Sequence, residues 1–312
     1  MSVCDVSPGC TLCIPHISSS VSAEKSTAFA SPPSTSMTAT GLETSANPPL
    51  PSNSYTSSDS TMARAVAGSL MHSSTGSASG GSGNGGFSKA SYVVATDTTF
   101  APFEFTDDSG KFVGIDVDIL AACAEKEGFK YDLQSLGFDA AVAALESGQA
   151  DAVIAGMSIT DERKKKYDFS DAYYDSYVCM AVKDGSSVAG YDDLGGKTVA
   201  AKTGTQGASC AEDLSSKYGF TLTYFDDSSI MYQDVLTGNS VACFEDYPVM
   251  SYGIQQGNGL KIVTEEKENY STPYGFAVMK GQNQDLLEAF DKGLKELKSS
   301  GDYEKIVNKY LA

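Results

Sequence analysis

Two stretches of this chain repeat one pattern, and the repetition restricts the fold more than any other feature. FDAAVAALESGQADAVIAG (138–156) and SIMYQDVLTGNSVACFED (229–246) each read as a helix, a glycine stop, an apolar strand and a polar exit. A helix and a strand alternating in this way bury their apolar faces only against further copies of the same layering, so two such units imply two similar α/β halves.

The chain from Ser91 onward supports that reading. YVVATD reads as a buried strand and FVGI as a short one. DVDILAACAEKEGF is a helix with Val117, Leu120 and Ala124 on one face and Gly128 as its stop. KYDLQSL is the next strand, and Asp139 is positioned to cap the helix that ends at Gly148. The rhythm restarts after YVCMAVK (177–183) with strand KTVAAK and the Gly-rich turn GTQGAS. Ser209 and Glu212 are spaced as a capping box for the following helix, which ends at Gly219. TLTYF, SIMYQDVLTGN, SVACFED and a helix from Pro248 complete the second unit. YGFAVMK (274–280) leads back, and helices at 284–299 and 302–310 close the chain. The pattern predicts two lobes, each a mostly parallel sheet with flanking helices, joined by two extended crossings. One lobe takes 91–178 and 276–312, the other 179–275. A crevice then lies at the carboxyl ends of the strands, where Asp97, the 155–158 turn, GTQGAS, Glu245 and Asp246 emerge.

Residues 1–90 read differently. Ser, Thr, Gly, Ala and Pro dominate them, in runs such as SPPSTSMTATG, with too few large apolar side chains to offset ordering entropy. They read as a disordered arm of no consequence for folding or binding. Within it CTLC (10–13) has the gap of a metal knuckle, but only His16 is near and no second ligand pair follows, so no metal site is expected. No basic, apolar leader opens the chain, although MARAVAGSLMHSS from Met62 could be an eroded export region. Both histidines, His16 and His72, precede the folded part, leaving it no imidazole for catalysis. Cys123, Cys179, Cys210 and Cys243 read as buried thiols. A net charge of −18 without a basic stripe excludes nucleic acid as a partner.

The most informative local stretch is IAGMSITDERKKKYDFSD (154–171). An apolar strand runs through a glycine into a helix start, with Ser158 or Thr160 as cap and Asp161 and Glu162 in the first turn. Arg163 breaks the charge rule there. Either a ligand carboxylate docks on it, or it is a surface arginine paired with Asp161 or Glu162.

ATDTTFAPFEF, GIDVDIL, AGMSITDERKKKYDFSDAYY and KTGTQGAS resemble the amino-acid-binding proteins of ABC importers, bacterial extracellular solute-binding proteins of family 3. The resemblance covers 91–312 and is strongest to glutamine-binding members. It implies the two-lobed periplasmic-binding-protein (type II) fold, no catalytic residues, no cofactor, a free amino acid as ligand, a membrane permease as partner, and a monomer outside the cytoplasm. The ligand set it implies is Asp97, Phe100, Phe138, Ala155, Gly156, Ser158, Arg163, Lys202, Thr205, Gln206 and Asp246. Arg163 would fork the α-carboxylate, helped by the Ser158 N–H and the GTQGAS turn. Asp246, the Gly156 carbonyl and the Ser158 hydroxyl would hold the α-ammonium, and the two phenylalanines would clasp the aliphatic part. Structural alternatives stand beside these roles: Phe138 as a staple or core residue, Asp246 as a helix cap, Lys202 as a solvent-facing strand end.

Asp97 and Lys202 would discriminate ligands, an amide satisfying both, so glutamine is expected. Two departures from the glutamine-binding pattern, Gln206 in place of Gly and Glu245 in place of His, admit arginine, histidine or cystine. Two other functions share the fold: a cyclohexadienyl or arogenate-type dehydratase, with Glu245 beside Asp246 as acid, and a ligand-sensing module for a receptor.

Overall fold

The computed structural model describes residues 86–311. The first lobe is built on a sheet whose strands are β1 (Tyr92–Thr96), β4 (Tyr131–Ser135), β5 (Ala152–Val153), β6 (Tyr167–Phe169) and β12 (Ala277–Met279), in the order β4-β1-β5-β12-β6. A small ribbon of β2 (Phe105–Thr106) and β3 (Phe112–Val113) leads into helix α1 (Ile115–Glu127), and α2 (Phe138–Glu146) follows β4. The second sheet, β11-β7-β10-β8-β9, contains β7 (Tyr174–Lys183), β8 (Thr198–Lys202), β9 (Thr221–Phe225), β10 (Cys243–Asp246) and β11 (Leu260–Tyr274). Its helices are α3 (Gln206–Tyr218), α4 (Ser228–Thr237) and α5 (Tyr247–Gln255), while α6 (Gln284–Ser300) and α7 (Asp302–Leu311) return to the first lobe.

Each sheet is mixed rather than mostly parallel. β1 pairs parallel with β4 and β5, and β8 with β9 and β10, as the strand–helix rhythm demands. The antiparallel pairings involve strands reached without such a crossover helix: β12 against β5 and β6, and β7 against β10 and β11. β7 and β11 form a long antiparallel ribbon, Tyr174 opposite Tyr274 at one end and Lys183 opposite Leu260 at the other. Residues 267–270 stand out of register between Glu266 and Ser271.

Both faces of each sheet are covered. Ile119, Leu120 and Cys123 of α1 meet Leu286, Phe290 and Leu294 of α6 over one face of the first sheet, and Phe276 stacks on Phe290 at 4.4 Å. The opposite face carries Phe138, Ala141 and Leu145 of α2. The second sheet is sandwiched likewise between α3 and the pair α4 and α5. Cys123, Cys179, Cys210 and Cys243 are free and buried in these cores, where desolvation pushes the Cys123 thiol up to about 12.

Several local expectations are corrected. The helix after the 155–158 turn is only a single 3-10 turn, Arg163–Lys165, because the chain from Tyr167 is taken into β6. Helix α3 is capped by Thr205, whose Oγ1 accepts from the Ala208 N–H at 3.1 Å, so Ser209 lies inside the helix and the Ser209/Glu212 capping box does not form. Asp139 lies in the first turn of α2 and caps nothing, Gly137 holding the cap position. Residues 86–90, placed in the arm by composition, are described, and Phe87 packs edge-on against Tyr92 and Phe129. The cysteines and histidines of the arm fall outside the described residues. No helix among the described residues is long and apolar enough to cross a membrane.

Candidate ligand-binding site

Between the two sheets lies a narrow chamber with room for little more than a water molecule. Asp97, Phe100, Phe138, Ala155, Gly156, Ser158 and Arg163 line it from the first lobe, and Thr205, Gln206, Glu245 and Asp246 from the second. The structure thus brings together every residue expected there except Lys202, and adds Glu245.

Arg163 pairs with neither nearby acid. Lys164 takes Asp161, and Lys165 takes Glu162. The guanidinium turns inward, donating from Nη1 to the Ser158 carbonyl at 2.9 Å and from Nη2 to the Gly204 carbonyl at 3.0 Å, so it reaches from one lobe to the other. It lies over the Phe138 ring at 5.3 Å. Phe138 is therefore at once a core residue of α2 and a wall of the chamber.

Opposite stands Asp246 at the end of β10. It occupies the cap position of α5, yet its side chain makes no cap; Oδ2 accepts from the Tyr274 hydroxyl at 2.5 Å. Burial, then the neighbouring Glu245 charge, push this carboxyl up to about 7, while Tyr274, Arg163 and Lys202 oppose them. An arriving cation would restore its charged form. The first turn of α3, whose N–H groups lack intrahelical partners, opens beside Thr205 and Gln206.

The far end is built differently from the sequence expectation. Lys202 is buried, 1% exposed, so it is no solvent-facing strand end. Its ammonium forms an ion pair with Asp97 across the lobes, donates to Ser228 Oγ at 3.1 Å and sits 5.5 Å from the Phe100 ring centre. Glu245, also buried, accepts from Ser228 Oγ at 3.1 Å, from Tyr232 Oη at 2.8 Å and from the Asp246 N–H at 3.0 Å. Burial raises its pKa against these donors and Lys202. Glu245 was visible in the sequence as a departure, but nothing there signalled that Ser228 and Tyr232 would hold it in the wall.

A further clasp crosses the lobes outside the chamber: Thr99 Oγ1 donates to Asp227 Oδ2 at 3.0 Å and accepts from the Ser228 N–H at 3.3 Å. Among the described residues, no cluster of His, Cys, Asp and Glu is arranged to hold a metal ion.

Two lobes closing on a chamber lined by opposed charges define a solute-receptor architecture, and comparison with known proteins places the chain within it. Residues 92–312 match the bacterial extracellular solute-binding proteins of family 3, and the chain belongs to that family. It is similar to the arginine-binding extracellular protein ArtP of Bacillus subtilis (strain 168), with 30% identity over 239 residues, 76% of this chain and 91% of that relative. Among solved structures it is similar to an ancestral arginine-binding protein bound to arginine, at 39% identity and TM-score 0.66, over 72% of this chain and 99% of that one. An ancestral arginine-binding protein bound to glutamine gives 39% identity and TM-score 0.65, over 71% and 98%.

Proposed function

We propose that the chain is the extracytoplasmic substrate receptor of an amino-acid ABC importer, closing as a monomer on a polar L-amino acid and presenting it to a membrane permease. One observation carries the reading: a guanidinium and a carboxyl, Arg163 and Asp246, face one buried chamber from different lobes. That arrangement matches the α-carboxylate and α-ammonium of a zwitterion, and neither lobe satisfies both. Phe100 and Phe138 supply the apolar walls for the aliphatic part.

Glutamine is the ligand ranked first. Asp97 lines the side-chain end and accepts amide N–H groups, while Lys202, buried behind it and paired with it, sets a like charge against a cation. Arginine is the second reading, favoured by Glu245: with Asp97 it sets two buried carboxylates against one ammonium at that end. The relatives that bind arginine support this second reading. Calorimetric titration with the twenty common L-amino acids is the deciding experiment. Tight binding of glutamine or arginine supports the reading, and binding of no amino acid refutes it. The dehydratase alternative predicts turnover of prephenate-like acids by Glu245 or Asp246; its absence in a product assay is the expected result.

A further inference from the structure

Behind the chamber wall lies a second layer of acids that touches no expected ligand. Glu104 and Asp116 are fully buried, and neither Glu104 oxygen has a hydrogen-bond partner. Asp116 Oδ1 is in the same position, while its Oδ2 accepts from the Gly156 N–H at 2.8 Å and the Tyr173 hydroxyl at 2.7 Å. Gly156 is a lining residue.

We propose that Asp116 is a positioning residue of the ligand chamber, holding the Ala155–Gly156 peptide through Oδ2, with the Glu104 carboxyl as the partner that keeps Asp116 in place. This rests on the amino-acid-binding reading of the chamber.

The geometry supports the proposal at both ends of the turn. A peptide is planar, so fixing its N–H fixes the Ala155 carbonyl as well. Gly156 has φ +51°, and a Cβ there would lie 2.3 Å from the Phe100 ring, so the turn passes between Asp116 and a wall of the chamber. Its other end is tied down where Ser158 bridges to Tyr274, with Gly275 N–H donating to the Met157 carbonyl at 3.0 Å. The anchor is external to the turn: Asp116 is the second residue of α1, and Glu104 is bridged to Phe100.

Two adjoining carboxyls in a dry interior hold together by sharing a proton. Burial raises the Asp116 carboxyl to about 6, while the Gly156 N–H, the Tyr173 hydroxyl and the first turn of α1 favour its anion. Glu104, pushed well above the usual range by burial and by the charges of Asp116 and Asp97, keeps the proton and donates it to Asp116; Lys202 alone opposes. The charged or titratable groups facing the pair are Asp97, Lys202, Tyr173 and Tyr303. Ionisation of Glu104 on raising pH would drive the two carboxylates apart and release the turn.

The test uses the full chain, with the Gly156 amide read by NMR and affinities for L-glutamine and L-arginine read by calorimetry. Asp116→Asn should shift the Gly156 amide proton and weaken binding about tenfold or more, since a charged acceptor is lost behind the wall. Glu104→Leu should do the same, and Glu104→Gln, which keeps a donor, should restore binding. The alkaline shift of the Gly156 amide should be present in wild type and absent in Glu104→Gln. Wild-type affinity in Asp116→Asn or Glu104→Leu, even with a lowered melting temperature, would assign the pair to stability alone and overturn the proposal. An unmoved Gly156 amide in Asp116→Asn would do so as well. If wild type binds neither amino acid, the ligand ranking fails, and the amide measurements alone decide whether Asp116 holds the wall.

Discussion

Removing the Arg163 guanidinium separates the ligand reading from the structural one. In the unliganded chain the group makes two carbonyl hydrogen bonds, at 2.9 and 3.0 Å. Arg163→Ala therefore forfeits about 1 kcal/mol of net hydrogen bonding, because the exposed Gly204 carbonyl regains water. For a domain of this size that is roughly 2–4 °C of melting temperature. Binding should suffer far more. The remaining guanidinium N–H groups are those that would fork an α-carboxylate, and losing one partner of a buried charge pair costs about 2–5 kcal/mol, or roughly 30- to 5,000-fold in Kd. Arg163→Lys should fall between, since it keeps the charge and loses the planar fork. Calorimetry on the three proteins with glutamine and arginine, alongside thermal melts, measures both quantities. Binding by Arg163→Ala within about threefold of wild type would place the carboxylate elsewhere and refute the argument.

Asp246 sets the acid limb of binding. Because its carboxyl must be charged to hold an ammonium, affinity should fall as pH drops below about 7, and Asp246→Asn should bind weakly with that limb flattened. The linkage has the opposite sign for the empty protein. With its pKa raised from 3.8 to about 7, the folded state holds the extra proton between those values, so Asp246 lowers unliganded stability as pH rises through that window, which denaturant titrations at several pH values would show. Lys202→Ala should weaken glutamine binding and leave Asp97 and Glu245 unopposed, moving preference toward arginine; unchanged glutamine affinity would remove Lys202 from the ranking. A chain starting at Gly86 should melt and bind as the full chain does, whereas one starting at Ser91 should lose about 1 kcal/mol with the Phe87 packing on Tyr92 and Phe129.

The candidate site was largely legible because its parts lie in short runs: 155–163 carries four lining residues and 205–206 two, each within one local motif. What escaped was pairing across long separations. Lys202 and Asp97 are 105 residues apart, and no local pattern tells that they neutralise each other. Glu104 and Asp116 looked like parts of recognisable motifs, without any sign that they abut. In the fold, the glycine stop of α1 was plain, Gly128 adopting the left-handed cap conformation. β11 was not, because an edge strand reading LKIVTEEKENYSTPY carries the charges that protect an exposed edge and so lacks apolar alternation. The misplaced start of α3 has a similar cause: Thr205 and Ser209 are both competent caps, and the tertiary course of the chain after β8 selects the earlier one.

The β7–β11 ribbon turns the connection between the lobes into a single mechanical part. Two independent linkers could twist, shear and swing separately, whereas strands laddered from Tyr174/Tyr274 to Lys183/Leu260 deform together. Their softest point is where residues 267–270 leave the register and the ladder is interrupted. A rotation of one sheet against the other would therefore bend the ribbon most easily opposite that break, between Val178 and Tyr177. On the proposed closing motion, the contacts that span the lobes, Arg163 to Gly204 and Lys202 to Asp97, would re-form in one registration.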